Sequence, residues 1–314
     1  MIFIPINNEV TTVGIDLGGT KIAAAPVQGT NLISSEIRKE ATPHAENSEE
    51  ILDLMARMVD EISETNKISA VGISTAGMVN EKGEMIGSCG NIPAWKGTKV
   101  KKELEARLKM PVFVENDANC AAYGEFMAGS GKNFKSMIMV TLGTGIGGGI
   151  IFNDQIWRGA HFGGGEIGHL KLHSNKTRRC TCGAWDCWEA YASGTGLNNT
   201  ARTFMANPNI DNYQLMDLHK HGDEDAIEVI STWHDHVAQG IATLANSFDP
   251  EAFVIGGGLA QFINYPKLNK KIKDKVVDAL KAHVNVVEGN LENDSGMIGA
   301  ACLANVELAN QVTV

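Results

Sequence analysis

No run of apolar residues in the sequence approaches the roughly 18–20 that a membrane-spanning helix needs, so no helical span is expected. The opening MIFIPINNEV has neither the basic start nor the long apolar stretch of a secretory leader. Both absences place the expected setting in the cytoplasm, with no membrane as partner. In that setting the sequons Asn198-Asn199-Thr200 and Asn293-Asp294-Ser295 read as chance matches. Cysteine is scarce, six in 314 residues, too few for a disulfide scaffold. An excess of positive charge is also missing. The net charge is −10 with the acidic groups scattered, a surface that repels phosphate backbones and argues against nucleic acid as a partner. A merely soluble acidic surface would explain that charge equally well. No Pro- or Ser-rich linker and no low-complexity segment divides the chain. What remains is an ordinary globular composition, 43% hydrophobic and 20% charged, with length for two domains of roughly 100–200 residues each.

The patterning that is present alternates strands with helices, which argues an α/β fold. Val10–Asp16 and Ile22–Val27 read as a β-hairpin around Leu17-Gly18-Gly19-Thr20. Ser48 reads as the cap of a helix carrying Ile51, Met55, Val59 and Ile62. Ala70–Ser74 and Val112–Glu115 read as short buried strands, the second opening onto a helix from near Asp117 with Ala121, Ala122 and Phe126. Met137–Thr141, the turn Leu142–Gly145 and Gly147–Phe152 then repeat the opening hairpin at an offset of 125 residues, as expected of two related halves. An amphipathic helix with Ile227, Ile230, Trp233, Val237, Ile241 and Leu244 follows. After it come a strand, Ala252–Ile255, and a helix carrying Leu268, Ile272, Val276 and Leu280.

Three glycine-rich turns each follow one of these strands: Gly18-Gly19-Thr20-Lys21, Gly143-Thr144-Gly145 and Gly256-Gly257-Gly258. Glycine permits positive φ and lets an anion approach the backbone N–H groups, Thr adds a hydroxyl and Lys21 a charge, so together they point to a polyphosphate. Tight hairpins need glycine in any case, so one such turn alone would say little. Gly143–Gly148 matches G-x-G-x-x-G, but the chain continues as a strand rather than a helix, which excludes a dinucleotide fingerprint. Gly131-Lys132 is followed by Asn133, and position 126 is Phe, so no P-loop is present. Asp16, before the first turn, is either an Asx-type turn residue or a ligand of Mg²⁺; beside three phosphate-type turns the magnesium reading is preferred.

Glu115-Asn116-Asp117-Ala118-Asn119 runs off a strand into a helix. Asp117 reads either as the helix N-cap or as a base that takes a hydroxyl proton in phosphoryl transfer, and the helix dipole is expected to hold its carboxylate ionised. Asn116, Asn119 and Asn91 offer polar contacts to a sugar. His169, Cys180, Cys182 and Cys187 supply one imidazole and three thiolates, the donor set of a closed, structural tetrahedral zinc site. Cys89, Cys120 and Cys302 read as core packing. Glu166 and His169 share a face if their segment is helical, and Glu189 rides on the same loop.

These residues together resemble the ROK family (repressors, open reading frames and kinases) of the sugar-kinase/Hsp70/actin superfamily, over nearly the whole chain. Asp16–Lys21 and Leu142–Gly149 look like its two phosphate motifs, Glu115–Asn119 its catalytic segment, and Val254–Leu259 its adenosine-side motif. Gly165–His169 with Cys180–Glu189 look like its zinc and sugar motif. One departure is Asp186, where the family has Gly before the third cysteine. The resemblance implies two RNase H-like, actin-like ATPase domains with an active-site cleft between them: 1–118 with about 298–314 as the smaller, 119–297 as the larger. It implies a homodimer that uses ATP, Mg²⁺ and a structural Zn²⁺. Asp117 would be general base toward the 6-hydroxyl of a hexose held by Asn91, Asn116, Asp117, Glu166, His169 and Glu189. Phosphate contacts would come from Asp16, Gly18, Gly19, Thr20, Lys21, Thr144, Gly145, Gly256, Gly257 and Gly258.

A glucokinase-type activity is the expected function. Ser74-Thr75-Ala76-Gly77-Met78-Val79-Asn80 also looks like the family's N-acetylmannosamine kinases, so an N-acetylhexosamine kinase is the alternative. A sugar-sensing protein without catalysis is the remote one. The repressors of the family carry a helix-turn-helix domain before the first phosphate motif, and 15 residues ahead of Asp16 leave no room for it.

Overall fold

The computed structural model describes residues 6–43, 47–87 and 92–312. In chain order the elements are β1 (Thr11–Leu17), β2 (Lys21–Gln28), β3 (Asn31–Leu32), β4 (Arg38–Ala41), α1 (Glu49–Ser63), β5 (Ile68–Thr75), α2 (Val100–Leu108), β6 (Val112–Asn116) and α3 (Asp117–Met127). Then follow β7 (Met137–Leu142), β8 (Ile146–Phe152), β9 (Gln155–Ile156), α4 (Glu189–Ala192), α5 (Gly194–Phe204), α6 (Asn212–Lys220), α7 (Glu224–Phe248), β10 (Ala252–Gly256), α8 (Tyr265–Lys273), β11 (Val286–Glu288) and α9 (Ser295–Val312). They fall into two compact units. Met1–Asn133, Gly149–Gly165 and Asn290–Val314 form the first; Phe134–Gly148 and Glu166–Gly289 form the second.

In the first unit β1 and β2 pair antiparallel up to Leu17↔Ile22, whereas β1, β5 and β6 run parallel, with Gly14 opposite Gly72 and Gly72 opposite Phe113. Parallel strands are covered on both faces, which is why Val13, Ile15, Val71, Ile73 and Val112 are all buried. On one face α1 and α2 supply Ile51, Met55, Val59, Val100 and Leu104 to the core around the fully buried Trp95. The Trp95 indole N–H donates to Thr75 Oγ1 at 2.9 Å, at the end of β5. Helix α9 packs on β1 and β5, and Thr12 Oγ1 donates to Ala301 O at 2.9 Å. It meets α3 so closely that a Cβ at Gly299 would collide with the Cys120 carbonyl, so only glycine permits this crossing. Cys120 and Cys302 lie in this packing, fully buried; Cys89 lies outside the described residues.

The second sheet has the order β11-β10-β7-β8-β9. β10 runs parallel to β7, with Val254 opposite Met139, and to β11, with Phe253 opposite Val286. In the second unit α7 buries Ile230, Trp233, Val237, Ile241 and Leu244 along one stripe, the helical period expected from the sequence, but Ile227, expected on that face, is 45% exposed and Val229 is buried instead.

Two local expectations are corrected. Ser48 occupies the cap position of α1, but its hydroxyl makes no capping bond; Asn47 Oδ1 accepts from the Glu49 N–H at 3.0 Å instead. The helix expected through Leu280 stops at Lys273. Asn246, on α7, accepts from the Val277 N–H at 3.1 Å and donates to Lys275 O at 3.5 Å, drawing the chain out of the helix while Val276 stays buried.

Candidate active site and metal centre

Strand β6 ends at Asn116, paired with Thr75, and α3 begins at the next residue. The cap of α3 is therefore Asn116, not Asp117. Its Oδ1 accepts from the N–H groups of Ala118 (3.0 Å) and Asn119 (3.1 Å), as a cap must to satisfy the helix's first free donors. Asn116 Nδ2 donates to Gly77 O at 3.1 Å and to Asp117 Oδ1 at 3.0 Å. Asn119 turns inward: it is buried and donates to Glu115 Oε1 at 3.0 Å, so it does not offer the sugar contact expected of it.

Asp117 is the first helical residue. Its Oδ1 also accepts from the Ala118 N–H at 2.8 Å, which favours the carboxylate. Loss of hydration among the surrounding protein acts the other way, and the Asp16 charge adds to it. Although the side chain keeps solvent-exposed surface, its pKa is pushed up to about 6. Asp117 is still ionised at neutral pH, as expected, but burial leaves it a stronger base than the helix dipole on its own would suggest.

Asp16 ends β1 beside the first glycine turn, and Ser74 Oγ donates to its Oδ1 at 2.7 Å. Burial raises its pKa, against the Ser74 bond and the Lys21 charge. The turn is pinned through its carbonyls: Gly18 O accepts from Thr42 Oγ1 (2.7 Å), Thr20 O from Thr42 N (3.0 Å) and Lys21 O from Gly18 N (3.0 Å). Asp16, Asp117 and Ser74 are oxygen donors of the kind magnesium takes together with phosphate and water.

In the second unit, the Gly143-Thr144-Gly145 turn and the Gly256–Gly258 turn come together at the ends of β7 and β10. Leu259 N donates to Leu142 O at 3.0 Å, and Gly257, with φ +85°, sits where a Cβ would strike Leu142. The start of α5 joins them, since Gly194 N donates to Gly143 O at 2.8 Å and Thr195 Oγ1 to Thr144 O at 2.9 Å. Between them lies a cavity of about 320 Å³ whose walls include Thr144, Gly258, Asn198, Asn212, Tyr213 and Phe262. The rings of Tyr213 and Phe262 meet edge-on, 6.2 Å apart. Buried Oδ1 atoms of Asn198 and Asn212 have no partner in the protein. The motif reading missed these residues from α5, α6 and the turn after β10. The one local signal was the Ser193-Gly194-Thr195-Gly196 helix start, where the Ser193 hydroxyl accepts from Gly196 N–H at 3.1 Å.

The cysteine loop is also in the second unit. One donor atom from each of His169, Cys180, Cys182 and Cys187 lies within 4.8 Å of all the others. Cys180 Sγ is 3.6 Å from His169 Nδ1, and Cys182 Sγ is 3.7 Å from Cys187 Sγ. A tetrahedron with metal–S of about 2.3 Å and metal–N of about 2.0–2.1 Å has just such edges, so donors and spacing fit zinc. Lys171 Nζ, 3.0 Å from Cys187 Sγ, offsets thiolate charge. Asp186 holds φ +56°, the left-handed region where glycine is at home, and its Oδ1 accepts from Thr177 N, Arg178 N and the Tyr191 hydroxyl. Those bonds lower its pKa. Trp188 anchors the loop to α7 by donating to His236 O at 2.8 Å.

Glu166 and His169 flank a short 3₁₀ turn, with Oε2 and Nε2 3.7 Å apart. Both oxygens of Glu189 are engaged: Oε2 accepts from Ile146 N at 3.0 Å and Oε1 from Thr181 Oγ1 at 3.1 Å, with Cys180 Sγ 3.5 Å from Oε1. Glu189 thereby ties the cysteine loop to the second glycine turn. Asn91 lies outside the described residues.

The profile of the ROK family matches residues 12–307. A glucokinase of Streptomyces coelicolor is 36% identical over 316 residues, covering 93% of this chain and 97% of that protein. The crystal structure of a ROK hexokinase from Thermus thermophilus superposes with a TM-score of 0.85 at 31% identity, covering 96% of this chain and all of that one. A ROK family glucokinase from Streptomyces griseus, in complex with glucose and AMPPNP, superposes with a TM-score of 0.79 at 33% identity, over 94% of this chain and 99% of that one.

Proposed function

The chain belongs to the ROK family, and on that premise we propose that it is an ATP-dependent hexokinase acting on the 6-hydroxyl of a hexose, with glucose preferred. The observation that carries the reading is Asp117: a carboxylate fixed at the start of α3 by Asn116, with its pKa pushed up to about 6. A base of that strength is ionised at neutral pH and close enough to it to take a hydroxyl proton as the phosphoryl group arrives.

Phosphoryl transfer asks the protein mainly for positioning and charge neutralisation. Gly18, Gly19, Thr20 and Lys21 in one unit, and Thr144 and Gly145 in the other, would hold the phosphates. Gly258, of the Gly256–Gly258 turn, borders the cavity in which Tyr213 and Phe262 would offer a purine their rings and Asn198 and Asn212 their amides. Asp16, oriented by Ser74, would hold magnesium, which when bound neutralises phosphate oxygens. His169, Cys180, Cys182 and Cys187 would hold a structural zinc ion. With its Nδ1 on that side, His169 keeps Nε2 toward Glu166 for the sugar, alongside Asn91, Asn116 and Glu189. A homodimer in the cytoplasm is part of the same reading.

The second reading, an N-acetylhexosamine kinase, rests on Ser74–Asn80, whose Gly77 carbonyl binds Asn116 beside Asp117. A coupled assay of ATP turnover with glucose, mannose and N-acetylmannosamine separates the two. Glucose should give the highest kcat/KM; negligible turnover on glucose with turnover on N-acetylmannosamine would overturn the first reading.

A further inference from the structure

Behind Asn116 and Asp117 stands an ion pair between Glu115, the first residue of the Glu115–Asn119 motif, and Arg158, which lies in no motif. Glu115, 3% exposed, uses both carboxylate oxygens. Its Oε1 accepts from the backbone N–H of Asn116 at 2.8 Å and from Asn119 Nδ2 at 3.0 Å; its Oε2 accepts from Arg158 Nε at 2.5 Å. The first oxygen therefore grips the residue that caps α3 and hands a hydrogen bond to Asp117 Oδ1. The second is held by a cation from Gly149–Gly165, a segment of the same unit that enters 43 residues later in the chain. A buried carboxylate that loses its cation is left uncompensated and relaxes toward water, and whatever it grips moves with it.

We infer that Arg158 is a positioning residue for phosphoryl transfer: through Glu115 it fixes the strand-to-helix turn that aims Asp117. The inference rests on the reading of Asp117 as the base. Arg158 lines a cavity of about 290 Å³ and its side chain is 34% exposed, so a glutamine there has access to water and the chain should fold.

The experiment compares Arg158→Gln, Arg158→Lys, Glu115→Gln and the double variant Arg158→Gln/Glu115→Gln with Asp117→Asn, by steady-state kinetics with glucose and ATP and by thermal melting. Misplacement of a reacting group by about 1 Å costs on the order of 100-fold, so Arg158→Gln should lower kcat by about 10–100-fold. KM for ATP should stay within about threefold, and KM for the sugar, which Asn116 also contacts on this reading, should rise by less than kcat falls. Arg158→Lys should recover part of the rate. The double variant should be no slower than the worse single one, since both act through one link. Wild-type kcat in a folded Arg158→Gln, multiplying losses in the double variant, or a change confined to KM would overturn the inference while leaving Asp117 in place. A wild-type rate in Asp117→Asn would overturn both. Should Arg158→Gln fail to fold, Arg158→Lys against Glu115→Gln decides by the same kcat-against-KM split.

Discussion

The turn at Gly18–Thr20 and the turn at Gly143–Gly145 each join two strands by three residues, and each glycine-and-threonine tip follows a leucine. They differ one residue earlier. In the first unit that place is Asp16, held by Ser74 in the same unit as Asp117, whose pKa its charge helps to raise. In the second unit the corresponding residue is Thr141, whose hydroxyl accepts from the Gly147 N–H at 3.1 Å and closes its own hairpin. The carboxylate beside the second turn, Glu189, arrives from far along the chain and is spent on Ile146 N and Thr181. One hairpin thus keeps charge that can act on a hydroxyl or a metal. The other keeps amides, aromatic edges and a closed cysteine cluster, which hold rather than react. On the proposed reading, the same backbone repeat would serve chemistry in one unit and grip in the other.

The comparison breaks most sharply at Asp117. Asp117→Asn preserves the shape and the hydrogen bond from Ala118 but removes the base, so kcat should fall by about 10²–10⁴-fold. The melting temperature should not fall, because a charge that burial opposes has been removed. A rate near wild type would end the assignment. The pH dependence is the gentler form of the same test. With a pKa of about 6, Asp117 is protonated below that value, so kcat should be flat toward neutrality and decline toward tenfold per pH unit on the acid side. The linked stability has the opposite sense. The folded state binds this proton more tightly than the unfolded chain, whose value is 3.8, so this group's contribution is greatest at low pH and is lost as pH rises through about 6.

Much of this was legible in the sequence because it is local. Gly/Thr turns between apolar runs, the period of α7 and the His–Cys spacing each carry their signal within a few residues. Asn116 against Asp117 as the cap was not legible: both are good caps, and the choice depends on where pairing with β5 ends β6. The end of α8 depends on Asn246, which approaches from another helix. The walls of the cavity in the second unit come from α5, α6 and the turn after β10, and Glu115 meets Arg158 only after the chain has folded. Charge environment is equally non-local, so a dipole argument at the start of α3 missed the burial that raises the pKa of Asp117.

The cysteine loop tests the gripping side. Purified protein should contain about one equivalent of zinc per chain, and Cys182→Ser, which removes the exposed member of the cluster, should lose it. Loosening the loop frees Glu189 from Thr181, so KM for the sugar should rise more than kcat falls. Full metal content in Cys182→Ser would show that the four residues do not act as one site. Asp186→Gly, which fits the backbone but drops three hydrogen bonds, should lower stability by about 1–3 kcal/mol with zinc retained.

The smallest expected effect belongs to Thr141, and it decides whether the two hairpins differ in kind. Thr141→Val has nearly the same shape but leaves the Gly147 N–H without its acceptor. A single neutral hydrogen bond of this type contributes about 1 kcal/mol, and the site is only partly buried, so water can replace some of it. The melting temperature should fall by about 2–4 °C, with kcat unchanged. If the threonine instead took part in the reaction as Asp16 is read to do, kcat would fall while the melting temperature stayed, and the division between a reacting and a holding hairpin would have to be abandoned.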